Sequence, residues 1–389
     1  MKQLACMSFI LLLCVTASFA QSKRNIVFES GTEGYSSYRI PAITRLANGE
    51  LLAFCEGRVS GAADFGNVDI LMKSSKDNGQ IWSSLKIIVD NGLLQAGNPA
   101  PVVDMDDPAY PNGRIFLFYN TGNQNENEIR KGHGIREVWY KTSIDNGNTW
   151  SNPINITTEV HRPNQPQINT AYHFHEDWRS YANTPGHAIQ FSEGIYAGRI
   201  YVAANHSAGK PQAWFKDYRA HGYYTDDHGK TFHLSEVVNV EGSNESMAAA
   251  LSQNKLMLNI RNQQGNIKAR IIAVSLNAGE SWDKSYFDRS LPDPVCQGSI
   301  LSIKTKASKR LLVFCNNADT SRRDYLTLRV SKDEGITWYK SYLIDASKGD
   351  FKGDFTAYSD LVELGKKKIG ILYERNNYHE IVFTSLILK

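Results

Sequence analysis

The sequence predicts an all-β fold made of repeated four-stranded antiparallel units, and three observations carry that prediction. A turn octapeptide recurs five times, the same order of strand-like runs surrounds each copy, and a lone strand is left over at the N-terminal end. The octapeptide reads SKDNGQIW (75–82), SIDNGNTW (143–150), TDDHGKTF (225–232), SLNAGESW (275–282) and SKDEGITW (331–338). An Asp or Asn two residues ahead of Gly is turn chemistry, because its side chain bonds nearby backbone N–H groups while Gly accepts φ > 0. The closing Trp or Phe can pin each hairpin to the body of the fold.

The elements follow in order. The first unit reads PAITRL, ELLAFCEG, VDILMKSS, octapeptide and SLKIIVD, and the second APVVDM, RIFLFYN, REVWYKTS, octapeptide and SNPINIT. The third reads GHAIQF, RIYVAAN, HGYYT, octapeptide and HLSEVVNV; the fourth reads SMAAALS, KLMLNIR, RIIAVSL, octapeptide and DKSYFD. The fifth is QGSILSI, RLLVFCN, YLTLRVS, octapeptide and YKSYLID. Three further runs, YSDLVEL, KKIGILYE and EIVFTSLIL, leave the last unit one strand short, and NIVFES at 25–30 can complete it. Radial four-stranded units closed by a terminal strand describe a six-bladed β-propeller, which also removes exposed sheet edges.

The first twenty residues, MKQLACMSFILLLCVTASFA, combine one Lys, an apolar stretch and a small-residue ending. This is the pattern of a cleaved secretory signal, too short for a stable membrane span. The expected organisation is therefore a signal at 1–20 and one propeller domain at 21–389, exported to the periplasm or the outside of the cell. Lys2 is the only charged residue in the signal, so its removal lowers the formal net charge from +3 to +2. That balance argues against nucleic acid or a membrane surface as partner. Cys55, Cys296 and Cys315 remain, each in an apolar setting. They read as buried thiols, with a Cys296–Cys315 bridge as the other option.

The repeat sorts the residues onto two faces. In an up-and-down blade the start of strand one, the end of strand two and the following loop share one face, and the octapeptide turns lie on the other. The first face gathers Arg39 in YRIP, Arg58 at a strand end, Asp64 in RVSGAADFG, Glu245 in NESMAAA and Arg261 in LNIRN. Arg323 in SRRDYLTLRVS, Tyr358 in AYSDLVEL and Glu374 in LYER join them. Three arginines converging near an axis, with Arg58 a candidate fourth, suit an anionic ligand held in bidentate geometry.

These motifs together resemble the exo-α-sialidases (neuraminidases) of bacterial and animal type, in which the octapeptides are known as Asp boxes. The resemblance spans essentially all of the chain after the signal. It implies that Arg39, Arg261 and Arg323 grip the sugar carboxylate, that Glu374 braces Arg39, that Asp64 is the acid/base, and that Tyr358 and Glu245 form the nucleophile pair. It implies a retaining hydrolysis of terminal sialic acid from glycoproteins, glycolipids and oligosaccharides through a sialyl-tyrosine, with no cofactor and no metal. A tyrosine nucleophile sets sialidases apart from the two-carboxylate glycosidases. A neutral phenol suits this sugar because its carboxylate sits on the anomeric carbon, where an anionic nucleophile at ~4 Å would meet ~1 kcal/mol of repulsion in water.

Taken singly, the residues have other readings: Tyr358 as an inner-strand core tyrosine, Asp64 and Glu245 as turn residues, Arg58 as a blade-end ion pair. Asn98 in GNPAPVV can bond a sugar hydroxyl or cap a strand, and His187 in PGHAIQ reads as structural. His173 and His175 in HFHE lack third and fourth metal ligands, and DMDDPAYPNG (104–113) reads as a turn rather than a calcium loop. Two other functions fit the same sequence, a trans-sialidase (including its intramolecular form) and a non-catalytic sialoglycan-binding propeller.

Overall fold

A computed structural model describes residues 23–305, 310–365 and 367–389; the expected signal lies outside the described residues. The described residues are all-β apart from the short helices Glu126–Arg130 and Thr157–Val160 and one 3₁₀ turn at Ala213–Phe215. Antiparallel four-stranded sheets in a propeller arrangement make up the fold. Consecutive strands pair in simple up-and-down order, as in Ser243–Ala250, Leu256–Asn262, Ala269–Ser275 and Lys284–Pro292, and again in Ser299–Lys304, Arg310–Asn317, Leu326–Ser331 and Lys340–Asp345. The leftover N-terminal strand does what its position suggested. Asn25–Glu29 pairs antiparallel with Glu380–Ile387 and completes the sheet that also holds Lys368–Arg375 and Thr356–Gly365.

The expected count of six separate sheets needs correction. Hydrogen bonding gives four separate sheets and one eight-stranded sheet running from Ser37–Arg45 to Ile154–Asn155. The cause is local: Val68 and Gln95 form a single parallel bridge, which joins the first two four-strand units. The third unit also departs from expectation. Its inner edge is Trp178–Asn183, and only Ile189–Gln190 of the run GHAIQF pairs as strand. Pro185 cannot donate to a ladder, and Gly186 at φ 121 breaks the edge between the two pieces.

The octapeptides are alike in their hydrogen bonding. In each, the first Ser or Thr Oγ accepts from the Gly N–H, at 2.8–2.9 Å, and donates to the Asp or Asn Oδ1. That Oδ1 accepts the backbone N–H four residues on, at 2.8–3.0 Å. The residue before each Gly and the Gly itself are both left-handed, for example Asn146 at φ 61 and Gly147 at φ 79. Each Gly also lies against the preceding unit. A Cβ on Gly79 would meet Phe383, on Gly147 Leu52 and Met72, on Gly229 Phe116, on Gly279 Tyr201 and on Gly335 Met257. The closing aromatics add to these seams, with Trp82 edge-on to Phe383 at 5.6 Å and Trp150 edge-on to Phe54 at 6.1 Å. The motif is thus a fastener between neighbouring units.

Cys55, Cys296 and Cys315 are free and buried, so the Cys296–Cys315 bridge is not formed. Burial pushes the thiols up, Cys296 to about 11 and Cys315 to about 12, which keeps them protonated. Among the described residues no helix is long and apolar enough to cross a membrane.

Candidate active site

Five inner strands carry register irregularities, and four of these lie beside site residues singled out from sequence. These four fall between Arg39 and Ala42, Gly97 and Ala100, Ser243 and Ser246, and Thr356 and Ser359. A bulge leaves one residue unpaired and turns its strand, which re-aims side chains. Ile40 at φ 58 and Asn98 at φ 52 are left-handed within two of these bulges. A β-branched residue in that region is strained, and here buried Glu374 holds it: its Oε1 accepts from Ile40 N at 2.8 Å and from Arg39 Nε at 2.7 Å. The second oxygen of Glu374 accepts from Tyr358 N at 3.1 Å. One carboxylate therefore fixes the backbone of two site strands and the orientation of Arg39.

The bulges open onto a cavity of about 290 Å³ whose wall includes Arg39, Arg58, Asp64, Asn98, Glu245, Arg261, Arg323 and Tyr358. All eight residues singled out as ligands or catalysts from sequence meet there; Glu374 lies beneath them, fully buried. None of the octapeptide residues lines the cavity. At its base Tyr358 Oη donates to Glu245 Oε1 at 2.6 Å. Arg261 Nη1 donates to both partners, to Glu245 Oε2 at 2.6 Å and Tyr358 Oη at 2.8 Å, while its Nε is buried with no hydrogen-bond partner. The guanidiniums of Arg39 and Arg323 lie 5.6 and 5.7 Å from the Tyr358 ring centre.

The electrostatics separate two groups. Burial pushes the Tyr358 phenol well above its ordinary range, and the Glu245 carboxylate adds to the rise against the pull of Arg261 and Arg323. The phenol is therefore neutral, with a carboxylate in position to take its proton. Asp64 goes the other way. Partial desolvation pushes its carboxyl up, yet the side chain remains 78% exposed, and Arg58 at 2.7 Å, assisted by Arg39, carries it below the usual carboxylate range.

Several site residues escaped the sequence reading. Glu56 is buried and fixes Arg58 through Oε2 at 2.7 Å while its Oε1 accepts from Asn98 N at 3.0 Å. Its separation of two from Arg58 on one strand, hence the same sheet face, was the available signal. Asn98 also gives its side-chain N–H to Asn183 O at 3.3 Å. Tyr378 lies 4.0 Å below the Arg39 guanidinium, accepts from Arg323 Nη1 at 3.0 Å and donates to Asp354. It sits in a turn of three successive left-handed residues, Asn376 to Tyr378, for which the sequence carries no periodic sign. His187 is structural, its Nδ1 paired with buried Asp360 at 2.7 Å. His173 and His175 are exposed. In the turn 104–113, Asp104 and Asp107 converge with His228, and Arg114 pairs with Asp107 at 3.0 Å in their midst, so an ion-pair network ties this turn to the third octapeptide.

Residues 49–371 match the family described as BNR repeat-like domain. A sialidase of Micromonospora viridifaciens is 32% identical over 364 residues, covering 89% of this chain and 51% of that protein. The chain thus spans about half the length of that relative. An exo-alpha-sialidase of Arthroderma benhamiae is 30% identical over 365 residues, covering 89% of this chain and 80% of that one. Among solved structures, the Hadza microbial sialidase Hz136 superimposes with a TM-score of 0.77 at 25% identity, over 94% of this chain and 68% of its own. With a family match across most of its length and these relatives, the chain belongs to the sialidase family.

Proposed function

We propose that the protein is an exported exo-α-sialidase, a retaining glycoside hydrolase that releases terminal sialic acid from glycoconjugates. The observation that carries this reading is the Tyr358–Glu245–Arg261 cluster: a neutral buried phenol bonded at 2.6 Å to a carboxylate, beneath three guanidiniums. Arg39, Arg261 and Arg323 hold the substrate carboxylate. Tyr358 attacks the anomeric carbon as Glu245 takes its proton, and Asp64 gives a proton to the departing glycoside oxygen. The resulting sialyl-tyrosine is opened by water, which Asp64 deprotonates; the anomeric configuration is retained, and Tyr358 recovers its proton from Glu245. Buried Glu374 keeps Arg39 in position, and Arg58 with Asn98 supplies hydrogen bonds to the sugar ring.

Asp64 must become a proton donor although it is acidic in the free protein. Substrate in the cleft displaces water from the Asp64 carboxylate and offers the substrate's own negative charge to the arginines. Both effects raise the Asp64 pKa toward what a general acid needs. The single domain reading at 21–389 and the export signal at 1–20 belong to the same proposal. So does the count of six blades, in which the eight-stranded sheet is two blades joined by one bridge. Six apolar clusters, each shared by two consecutive four-strand units, support that count.

Incubation with a fluorogenic sialoside, with the sugar product identified by NMR, tests the activity. The reading predicts release of free sialic acid as its α anomer first, and at least a 10³-fold loss in Tyr358→Phe, since the attacking atom is removed. Turnover unaffected by Tyr358→Phe contradicts it. An anhydro sugar, or preferential transfer to added lactose, replaces hydrolysis with the trans-sialidase reaction.

A further inference from the structure

A second cavity, of about 240 Å³, lies beside the cleft on the second four-strand unit. Gln95, Gly122 and Arg136 pair side by side across the strands Gln95–Asp104, Arg114–Gly122 and Arg136–Ser143. Gln95 and Arg136 line the cleft and Gly122 lines the second cavity, so one row of residues divides the two. Successive strand residues point to opposite faces, which turns Arg136 to the cleft and Glu137 to the second cavity. Part of the wall comes from the segment 165–172, which is folded back on itself. Gln165 N donates to Tyr172 O at 2.7 Å and Ile168 N to Gln165 O at 3.0 Å, so this wall is preformed.

The polar groups of the wall each have one end committed and one end open. Glu137 Oε1 accepts from Tyr172 Oη and from Asn155 Nδ2 at 3.4 Å, while its Oε2 has no partner among the described residues. Asn91 gives its Nδ2 to Gln95 O at 2.9 Å, which leaves its carbonyl open. Asn123 and Asn169 use their carbonyls to accept from Ile135 N at 2.8 Å and Ala171 N at 3.0 Å, which leaves their NH₂ groups open. Asn123 and Asn169 are exposed and Asn91 and Glu137 half-buried, so the set is reachable from solvent. Leu94 and Ile168 share the wall at 39% and 42% exposure, with Leu93 still more exposed beside them. No Lys or Arg lines this cavity.

Open acceptors interleaved with open amide donors complement hydroxyl groups, which donate and accept at once. The apolar side chains suit the C–H face of a saturated ring. A carboxylate with no cation beside it repels anions, which turns sialic acid itself away from this wall. We propose that the cavity is a binding site for a neutral hexopyranose. Ring hydroxyls donate to Glu137 Oε2 and Asn91 Oδ1 and accept from Asn123 and Asn169, and one face of the ring rests on Leu94 and Ile168. The space is below the ~300–1,000 Å³ of sites that enclose drug-sized ligands, which suits a single sugar ring. This site goes beyond the sialidase reading and does not depend on it. Joined to that reading, it tethers a branched glycan by a neutral sugar while the neighbouring cleft works on a sialylated arm, raising the effective concentration of substrate.

Lactose, both of whose rings are neutral hexopyranoses, is the probe. It is titrated into the whole protein and followed by saturation-transfer NMR, once alone and once with excess sialic acid to fill the cleft. The expected result is saturable binding with a Kd on the order of 1–10 mM, unaltered by sialic acid. Glu137→Gln keeps the side-chain shape and the bond from Tyr172 but puts an NH₂ where the open acceptor was. It is expected to weaken lactose binding about tenfold. Ile168→Ser, at an exposed position, removes apolar contact and is expected to weaken it several-fold. Lactose bound equally by wild type and both variants, or displaced by sialic acid, overturns the proposal, as does the absence of saturable binding in that range. Turnover is not read in this experiment, so a failure of the sialidase reading and a failure of this site are told apart.

Discussion

Tyr358 and Asp64 show how environment sets the protonation state of each titratable group in the cleft. The phenol is buried in the cleft wall and held neutral beside Glu245, while the exposed carboxyl of Asp64 is kept acidic by Arg58. In the proposed mechanism Asp64 is an acid only once substrate is bound, so its importance scales with how much help the leaving group needs. Asp64→Asn should cost about 10²–10⁴-fold in kcat on an alkyl sialoside and roughly tenfold or less on one with an acidic phenol as leaving group. Equal losses on both, measured by initial rates, would remove Asp64 from the acid role. The residues that meet in the cleft were readable from sequence because each stands at an equivalent point of a repeated unit. Glu56 and Tyr378 were not, since they act by holding Arg58 and Arg323, and no repeat position or motif marks such supporting groups.

At the level of elements, the octapeptides matter through what they press against. Gly229 has φ 82, and a Cβ there would come within 2.7 Å of Phe116 in the neighbouring unit. Gly229→Ala is therefore expected to destabilise the fold by about 2–4 kcal/mol, from the left-handed backbone and the overpacking together. KM for a sialoside should stay within twofold, because the turn is not part of the cleft wall. Urea unfolding and initial-rate kinetics on the same preparation check both statements. The strand runs and their order were legible because Asp–x–Gly turns punctuate them at regular spacing. The third unit was misread at GHAIQF, where the apolar alternation is right but Pro185 and Gly186 interrupt the ladder and an unmarked run, Trp178–Asn183, takes the inner edge. The bulges that aim the site residues were also illegible, since nothing in YRIP or NES announces a register shift.

The third unit carries a further consequence for stability. His161, His206 and His221 are buried together with Trp178 and Tyr181, the Trp178 and His206 rings stacked at 3.6 Å. Burial pushes all three histidines down, His221 to about 3, with their mutual proximity and the charges of Arg162 and Arg219 acting in the same direction. A histidine whose folded pKa lies below its unfolded value of about 6.5 binds fewer protons folded than unfolded. Its contribution is complete above about pH 6.5 and is lost as pH falls below that, at roughly 1.4 kcal/mol per pH unit for each group. Unfolding free energy should accordingly decline between pH 7 and pH 5. His161→Phe should shallow that decline by one group's share, because neither ring nitrogen of His161 has a partner to lose. Parallel pH curves for variant and wild type would contradict this assignment.

Over the whole molecule, Asn25–Glu29 closes the last sheet, apolar clusters fill the seams between units, and the octapeptides lock successive seams. Closure turns residues scattered from Arg39 to Glu374 into one site, with Arg39 and Glu374 joined at 2.7 Å across 335 positions of sequence. The proposed function makes one claim above the others, that the ring brings a neutral tyrosine against the anomeric carbon. The most direct test is mass spectrometry of the intact protein, then of its peptides, after reaction with a fluorinated sialoside whose glycosyl-enzyme hydrolyses slowly. The account predicts one added sialosyl group, on Tyr358, and none in Tyr358→Phe. A wild-type adduct on Asp64 or Glu245, or fast turnover of sialosides with no adduct at all, would contradict it.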